Sequence, residues 1–239
     1  MIIMMTNFVL VMTTVTISYV VTYTSAQYCN LESCNDRGTR KEHTLCAYTP
    51  QNKCKDGISS GLSGDEKKAI VELHNELRRK VASGQEIRGN PGPQRKLQNG
   101  KMANLKWDEE IAKIAQHWAD QCQIKHDACR NTPKDYVGQN IGYKGTTMDI
   151  KNSVILIKEL VKKWYDEVVN FDGRTSKFVS GKQNGKTVGH YTQIVWAETT
   201  RIGCGAVKYK TVYKNMGMNN LLLVCNYAPG GNIVGSLIY

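Results

Sequence analysis

Eight cysteines constrain this 239-residue chain more than any other feature: Cys29, Cys34, Cys46, Cys54, Cys122, Cys129, Cys204 and Cys225. What they can do depends on the redox compartment, and the start of the chain bears on that. Residues Met1–Ala26 carry no charged side chain and run through Ile2, Ile3, Phe8, Val9, Leu10, Val11, Val15, Ile17, Val20 and Val21 to Thr24-Ser25-Ala26. An apolar stretch with a small-residue exit reads as a signal peptide, residues 1–26, cleaved after Ala26. A signal anchor is the alternative, since a run of this length could span a bilayer. No later segment is apolar for long enough to cross a membrane, so the expected mature protein is secreted, extracellular and not transmembrane. In an oxidising compartment an even number of cysteines reads as four disulfides. Zinc ligation is the competing use, but it favours closely spaced pairs and no Cys-x-x-Cys occurs.

Half of the cysteines lie between Cys29 and Cys54, in a segment rich in Asn, Asp, Arg, Lys and Gly with few apolar residues. Such a segment cannot bury a core of its own, so residues 27–60 are expected to form a cysteine-rich arm stapled to the body by at least one long-range bridge. Residues 61–239 read as one domain. The chain is 41% hydrophobic and 22% charged, ordinary globular proportions that exclude disorder as a general description.

Within that domain, Ser63-Gly64-Asp65-Glu66 begins a helix, because Ser63 can cap it while Glu66 reaches back. Ile70, Leu73, His74, Leu77 and Val81 follow at helical spacing, and Gly84 supplies a stop. Asp108 caps a second helix whose buried face is Ile111, Ile114, Ala115, Trp118 and Cys122. A third helix is expected from about Asp149 to Asn170, with Ile150, Val154, Ile157, Val161, Trp164 and Val168 in one stripe. Near the C-terminus, Ile202 to Lys210 and Leu221 to Tyr227 are strand-like runs, and Asn215 to Asn220 reads as the turn region of a hairpin. Cys204 and Cys225 would then face each other on neighbouring strands.

Several local motifs carry a resemblance. They are Gly189-His190-Tyr191-Thr192-Gln193-Ile194-Val195-Trp196-Ala197-Glu198-Thr199 and Leu222-Leu223-Val224-Cys225-Asn226-Tyr227, joined by His43-Thr44-Leu45-Cys46, His74-Asn75-Glu76-Leu77-Arg78, Arg88 to Gln94, His126 to Arg130 and Val137-Gly138-Gln139-Asn140. In this order they resemble the cysteine-rich secretory, antigen 5 and pathogenesis-related (CAP) superfamily, and insect venom antigen 5 within it. The resemblance implies an α+β fold, a three-layer α-β-α sandwich stapled by disulfides. It also implies the pairing Cys29 with Cys46, Cys34 with Cys129, Cys54 with Cys122, and Cys204 with Cys225. Two stretches depart from the family pattern, Arg95-Lys96 and Thr211 to Asn220, and both are expected in loops.

CAP proteins gather two histidines and two acidic residues in a cleft, and carried over to this chain those positions are His126, Gln139, Glu167 and His190. Gln139 stands where many relatives have glutamate. An amide takes up no proton at neutral pH, so Gln139 can orient a water or a partner but cannot act as a base. Glu167, three residues after Trp164, is then the one possible base and the catalytic residue if the protein is an enzyme. His126 and His190 could bind zinc or another divalent metal through neutral ring nitrogens. Alternatively they are histidines hydrogen-bonded inside a polar cleft. His74, on an apolar stripe, reads as a satisfied core histidine. Thr192 and Tyr191 are the hydroxyls next to His190.

The formal net charge of +11 lies wholly beyond residue 26, with clusters at Arg78-Arg79-Lys80, Arg95-Lys96, Lys162-Lys163 and Lys208-x-Lys210. Such a surface attracts acidic glycans, anionic lipid heads or cell surfaces. Nucleic acid is not an expected partner, because export removes it and no aromatic-basic recognition motif is present. The resemblance implies a secreted, non-enzymatic venom or salivary protein that needs no cofactor. It would bind a small apolar ligand such as a sterol or fatty acid, or a host protein, and would meet antibodies if it is an allergen. The alternatives are a metal-dependent hydrolase, such as a zinc peptidase, built on the two-histidine cleft, and a cationic binder of glycans or membranes.

Overall fold

The computed structural model describes residues 27–36, 38–49, 53–54, 57–99 and 102–239. The expected signal peptide lies outside the described residues. Four helices and five strands build the body: β1 (Gly57–Ser60), α1 (Gly64–Ala82), β2 (Lys106–Trp107), α2 (Glu109–Ala119), β3 (Gly138–Thr146), α3 (Ser153–Tyr165), α4 (Gly189–Ile194), β4 (Arg201–Tyr213) and β5 (Met216–Ala228). The sheet runs β1-β4-β5-β3, antiparallel throughout, and β2 pairs parallel to the β4 edge.

Alternation along β5 creates the three layers. Leu221, Leu223, Cys225 and Tyr227 face a core that includes Ile70, Leu73, Leu77 and Val81 of α1 and Ile157, Val161 and Trp164 of α3. Leu222 and Val224 face the other way, onto Ala115, Trp118 and Ala119 of α2. The α2 layer lies close to the sheet because β4 presents Gly203 and Gly205 beneath it. A Cβ on Gly205 would come within 2.2 Å of the Gln116 Cα.

Helix ends follow the local chemistry of the sequence. Ser63 Oγ accepts from Glu66 N at 3.3 Å and the Glu66 carboxylate accepts from Ser63 N at 2.6 Å, a reciprocal cap that starts α1. Gly84, just past its end, takes φ +80°. Asp108 Oδ1 accepts from the amides of Glu110 and Ile111 and starts α2. That helix stops at Ala119, so Cys122 is not on its face but beyond it, in left-handed backbone at φ 54°.

Two expected spans need correction. The third helix is shorter than Asp149 to Asn170: Asn152 caps it by accepting from Val154 N, and after Tyr165 the chain tightens into a 3₁₀ turn, Asp166–Asn170. The hairpin turn is also tighter than Asn215 to Asn220. It consists of Lys214 and Asn215 alone, both at positive φ (48° and 62°), and pairing resumes at once with Tyr213 opposite Met216. The stretch from Met216 to Asn220 is therefore strand rather than loop, as are Thr211 to Tyr213.

Disulfides link Cys29 with Cys46, Cys34 with Cys129, Cys54 with Cys122, and Cys204 with Cys225. Cys204 and Cys225 are direct register partners across β4 and β5. The arm docks on the segment that follows α2: the Thr44 hydroxyl donates to the Asp127 carboxylate and the Cys129 carbonyl, and Asn131 Nδ2 donates to Ser33 O at 2.7 Å. His43, a position the sequence left without a role, is buried and caps the single turn Thr44–Ala47 by accepting from Leu45 N at 3.1 Å.

The charge clusters are less exposed than expected. Arg78 is fully buried, and its guanidinium donates to the carbonyls of Ala103, Ile194, Trp196, Ala197 and Thr199 at 2.7–3.5 Å. Burial lowers its pKa to about 10, which leaves it charged at neutral pH. Lys208 donates to Ser153 Oγ at 2.9 Å, and Arg95 reaches Tyr239 O and lies over the Tyr239 ring. These cations are structural rather than free surface charge.

Replacing Arg78 with Met strands several buried carbonyls, and the expected loss is about 3–5 kcal/mol in urea unfolding with the disulfides intact. A second prediction concerns pH. His74 is buried, donates Nδ1–H to Ile70 O at 2.8 Å and accepts from the Tyr227 hydroxyl at 3.0 Å. Burial lowers its pKa from 6.5 to about 4, so the unfolded chain binds the extra proton first. Its contribution is fully present above pH 6.5 and is lost as pH falls towards 4, on the order of 3 kcal/mol in all. Unfolding free energy measured across that window should slope less steeply in His74→Gln than in the wild type.

Candidate functional site

The expected site residues gather at β3, the free edge of the sheet, around Gly138, Gln139 and Asn140. Strand alternation sends Gln139 and Asn140 to opposite faces. Gln139 pairs with Asn226 on the α2 side, whereas Asn140 reaches Tyr227 and α4 on the other. Two histidine dyads thus approach one edge from two layers.

The first dyad is His126 with Gln139. Its geometry is fixed by a chain of amides that begins in α2. Asn226 Nδ2 donates to Ile111 O at 3.2 Å, which leaves its Oδ1 to accept from Gln139 Nε2 at 3.1 Å. That in turn points Gln139 Oε1 at His126 Nδ1, 2.8 Å away. A carbonyl oxygen only accepts, so His126 carries its proton on Nδ1 and leaves Nε2 with a free lone pair. Desolvation lowers the His126 pKa, outweighing the hydrogen bond to Gln139 that raises it, and the nearby Arg130 charge adds to the lowering. His126 sits between two anchored residues, Cys122 and Cys129, each bridged to the arm.

The second dyad is His190 with Glu167. Glu167 Oε1 accepts from His190 Nδ1–H at 2.6 Å, and Oε2 accepts from the backbone amides of His190 at 2.8 Å and Tyr191 at 3.3 Å. The tightening of the chain after Tyr165 places this carboxylate at the start of α4. Glu167 thus lies on the 3₁₀ turn rather than on the third helix. Trp164 stacks on the His190 ring with centroids 6.1 Å apart and donates Nε1–H to Ile141 O at 3.1 Å.

Beside His126 lies a hollow of about 290 Å³ whose walls include Arg130, Tyr136, Gln139, Gln193 and Asn232. Of the four expected residues, His126 and Gln139 line this hollow, while Glu167 and His190 are outside its lining. Gly138 is required there, because a Cβ would lie 2.0 Å from Gln193 Oε1. Sequence reasoning assigned no role to Asn140, Asn226 or Asn232. The first two were visible only as members of recognised motifs. Asn232, which donates to Gly189 O at 2.8 Å and accepts from the Thr192 hydroxyl at 2.7 Å, gave no signal at all.

The hydroxyls next to His190 are committed elsewhere. Thr192 Oγ1 donates towards Asn232 and Gly189 O, and the buried Tyr191 hydroxyl donates to Gln94 Oε1 at 3.0 Å. No cysteine is free. Among the described residues, no group of three or more His, Cys, Asp and Glu side chains is placed to hold a metal ion. A donor set of two imidazoles falls short of the three protein ligands of catalytic zinc and the four of structural zinc.

Replacing Glu167 with Ala removes the acceptor of three donors. The expected cost is about 2–4 kcal/mol in chemical denaturation, with His190 ring resonances shifted and broadened by NMR. Gln139→Glu should raise the His126 pKa, since a carboxylate favours the protonated ring, and NMR titration of the ring protons measures this.

With this geometry in place, the comparisons are specific. The model of the CAP family, described as the cysteine-rich secretory protein family, matches residues 71–227. Venom allergen 3 of Solenopsis invicta is 46% identical over 219 residues, covering 90% of this chain and 89% of its own. Venom allergen 5 of Polistes dominula is 48% identical over 204 residues, covering 82% and 84%. The crystal structure of NaASP2 with Zn2+ superposes with a TM-score of 0.59 at 32% identity, over 75% of this chain and 87% of that one.

Proposed function

The chain belongs to the CAP family, with venom allergens 3 and 5 among its relatives, and from that premise we propose a secreted protein that acts by binding and not by catalysis. The observation that carries this reading is the engagement of Glu167. Both of its oxygens are occupied by His190 and Tyr191, so the one carboxylate among the four expected residues serves to orient an imidazole and to hold the start of α4. Gln139 is likewise spent on His126 and Asn226. A general base needs a lone pair directed at substrate, and a nucleophile needs a base beside it. The hydroxyls and cysteines near His190 meet neither condition. Secretion is supported by the charge-free apolar leader and by four bridges, which persist in an oxidising compartment.

The binding partner this surface fits best is a host molecule met from outside, a protein or acidic glycan, rather than a sterol or fatty acid held within. The hollow at His126 has largely polar walls, Arg130, Gln139, Gln193 and Asn232 among them. Apolar ligands select predominantly hydrophobic walls. The crystal structure of NaASP2 is one with Zn2+. Here the Nε2 atoms of His126 and His190 are the two nitrogens open to such an ion. With only two donors no reaction step is routed through it.

The test is an assay of the purified protein against peptide and ester substrates with and without chelator, alongside native mass spectrometry after addition of sterol or fatty acid. The expected result is no turnover and no lipid adduct. A chelator-sensitive activity that His190→Ala abolishes while the fold stays intact would overturn the reading. Zinc titration by calorimetry should give binding in the micromolar range or weaker, lost in His126→Ala.

A further inference from the structure

The β4–β5 hairpin outgrows the sheet that supports it. β1 pairs with β4 only as far as Tyr209, and β3 pairs with β5 only as far as Asn219. Beyond those positions the ladder continues through Thr211–Met218, Val212–Gly217 and Tyr213–Met216 as a two-stranded ribbon, with no third strand among the described residues on either side. Behind the polar Lys214-Asn215 turn the ribbon carries exposed apolar side chains. Val212 is 75% exposed, Tyr213 58% and Met216 49%, and Met148, whose carbonyl accepts from Asn219 Nδ2 at 3.1 Å, is 73% exposed beside the ribbon. Alternation puts Tyr213 and Met216 on one face and Val212 on the other, so the apolar character encircles the end of the ribbon rather than marking one face.

Cations accompany these side chains. Lys214 is at the turn itself, with its ammonium 5.5 Å from the Tyr213 ring centroid. Lys210 is exposed and lies on the same face as Val212, two residues back from the tip. The acidic group at this end is Asp149, which shares a hollow with Lys208, Lys210 and Asn219. Lys208 is turned inward to Ser153 and Glu66.

We infer that the exposed hairpin tip, Val212, Tyr213 and Met216 flanked by Lys210 and Lys214, docks on the surface of an anionic lipid bilayer. The ladder pairs the inward-facing backbone groups up to the two turn residues, while the outward-facing groups of both strands stay open to water and headgroups, so the tip rests in the interface and does not enter the hydrocarbon. Tyrosine suits the headgroup level, and valine and methionine suit the acyl boundary just beneath. Lys214 at the turn and Lys210 behind the apolar residues meet phosphate and carboxylate headgroups. A scattering of single exposed apolar residues would carry no such meaning; here three lie within five consecutive positions of a projecting end. The inference stands apart from the binding reading of the cleft, because no residue of the tip touches His126 or His190.

The test is co-sedimentation of the full mature protein with phosphatidylcholine vesicles and with vesicles containing phosphatidylserine, at low and high salt. Wild type should bind the anionic vesicles and not the neutral ones. Val212→Ser with Tyr213→Ser and Met216→Ser, and separately Lys210→Ala with Lys214→Ala, should each weaken binding about tenfold or more. The melting temperature should be unchanged, since the tip is outside the core. Should the serine variant misfold, Tyr213→Trp reports instead, through a blue-shifted emission with anionic vesicles. Three results would overturn the inference: no vesicle binding by wild type, loss of binding in the lysine variant with none in the serine variant or no blue shift, which marks a polyanion binder, or concentration-dependent dimers that the serine substitutions abolish, which marks a contact between copies.

Discussion

The guanidinium of Arg78 ties together parts of the molecule that no strand or helix joins. It lies on α1, yet its donors are satisfied by the loop at Ala103 and by four carbonyls between Ile194 and Thr199, the stretch that leads out of α4 and into β4. Among the described residues no carboxylate neutralises it, so the positive charge is stabilised by oriented backbone dipoles alone. Buried carbonyls in an irregular segment have no helix or strand neighbour to pair with and need donors from elsewhere. Here one side chain supplies several donors at once, and α4 can be only six residues long and still be held in place. The position of His190 depends on this arrangement as much as on Glu167.

The cleft is built on the same principle, with orientation passed along a series of donors and acceptors. Ile111 O fixes Asn226, Asn226 fixes Gln139, and Gln139 fixes the tautomer of His126. On the other side of β3 a single carboxylate does for His190 what three amide groups do for His126. Replacing glutamate with glutamine at position 139 therefore exchanges a charge for a fixed direction. The result is two neutral-capable imidazoles whose outer nitrogens are free and whose inner nitrogens are committed. That arrangement fixes the orientation of each ring, while the hydroxyls beside His190, Thr192 and Tyr191, are bonded elsewhere.

Much of the fold was legible in the sequence, and the limits of legibility have physical causes. The capping box at Ser63 and the cap at Asp108 are local, and both helices begin where those residues place them. The third helix looked longer than it is because the apolar stripe continues through Val168. A 3₁₀ turn keeps that residue buried while shifting Glu167 around the axis. Asn215 to Asn220 looked like a loop because Asn and Gly are poor strand formers. Pairing with β4 overrides that preference, and Asn220 uses its side chain to bond Tyr209 O and Thr211 Oγ1. Arg78, four residues after His74 and three before Val81, falls on the buried stripe of α1 while Arg79 does not, but the carbonyls that accept from it lie far along the chain and left it to be read as surface charge. The residues of the cleft were named from a resemblance, and only coordinates show that they divide into two dyads on two faces of one strand.

The loop bearing His126 is bracketed by Cys122 and Cys129, and each is bonded to a different point of the N-terminal arm. Half of the cleft is therefore assembled by oxidation and not by the hydrophobic core. A chain made in a reducing cytoplasm would keep its sandwich, which rests on α1, α3 and the β4–β5 pair, while the His126 loop came untethered. Oxidation of those two bridges is thus a step in completing the site, beyond folding of the sandwich.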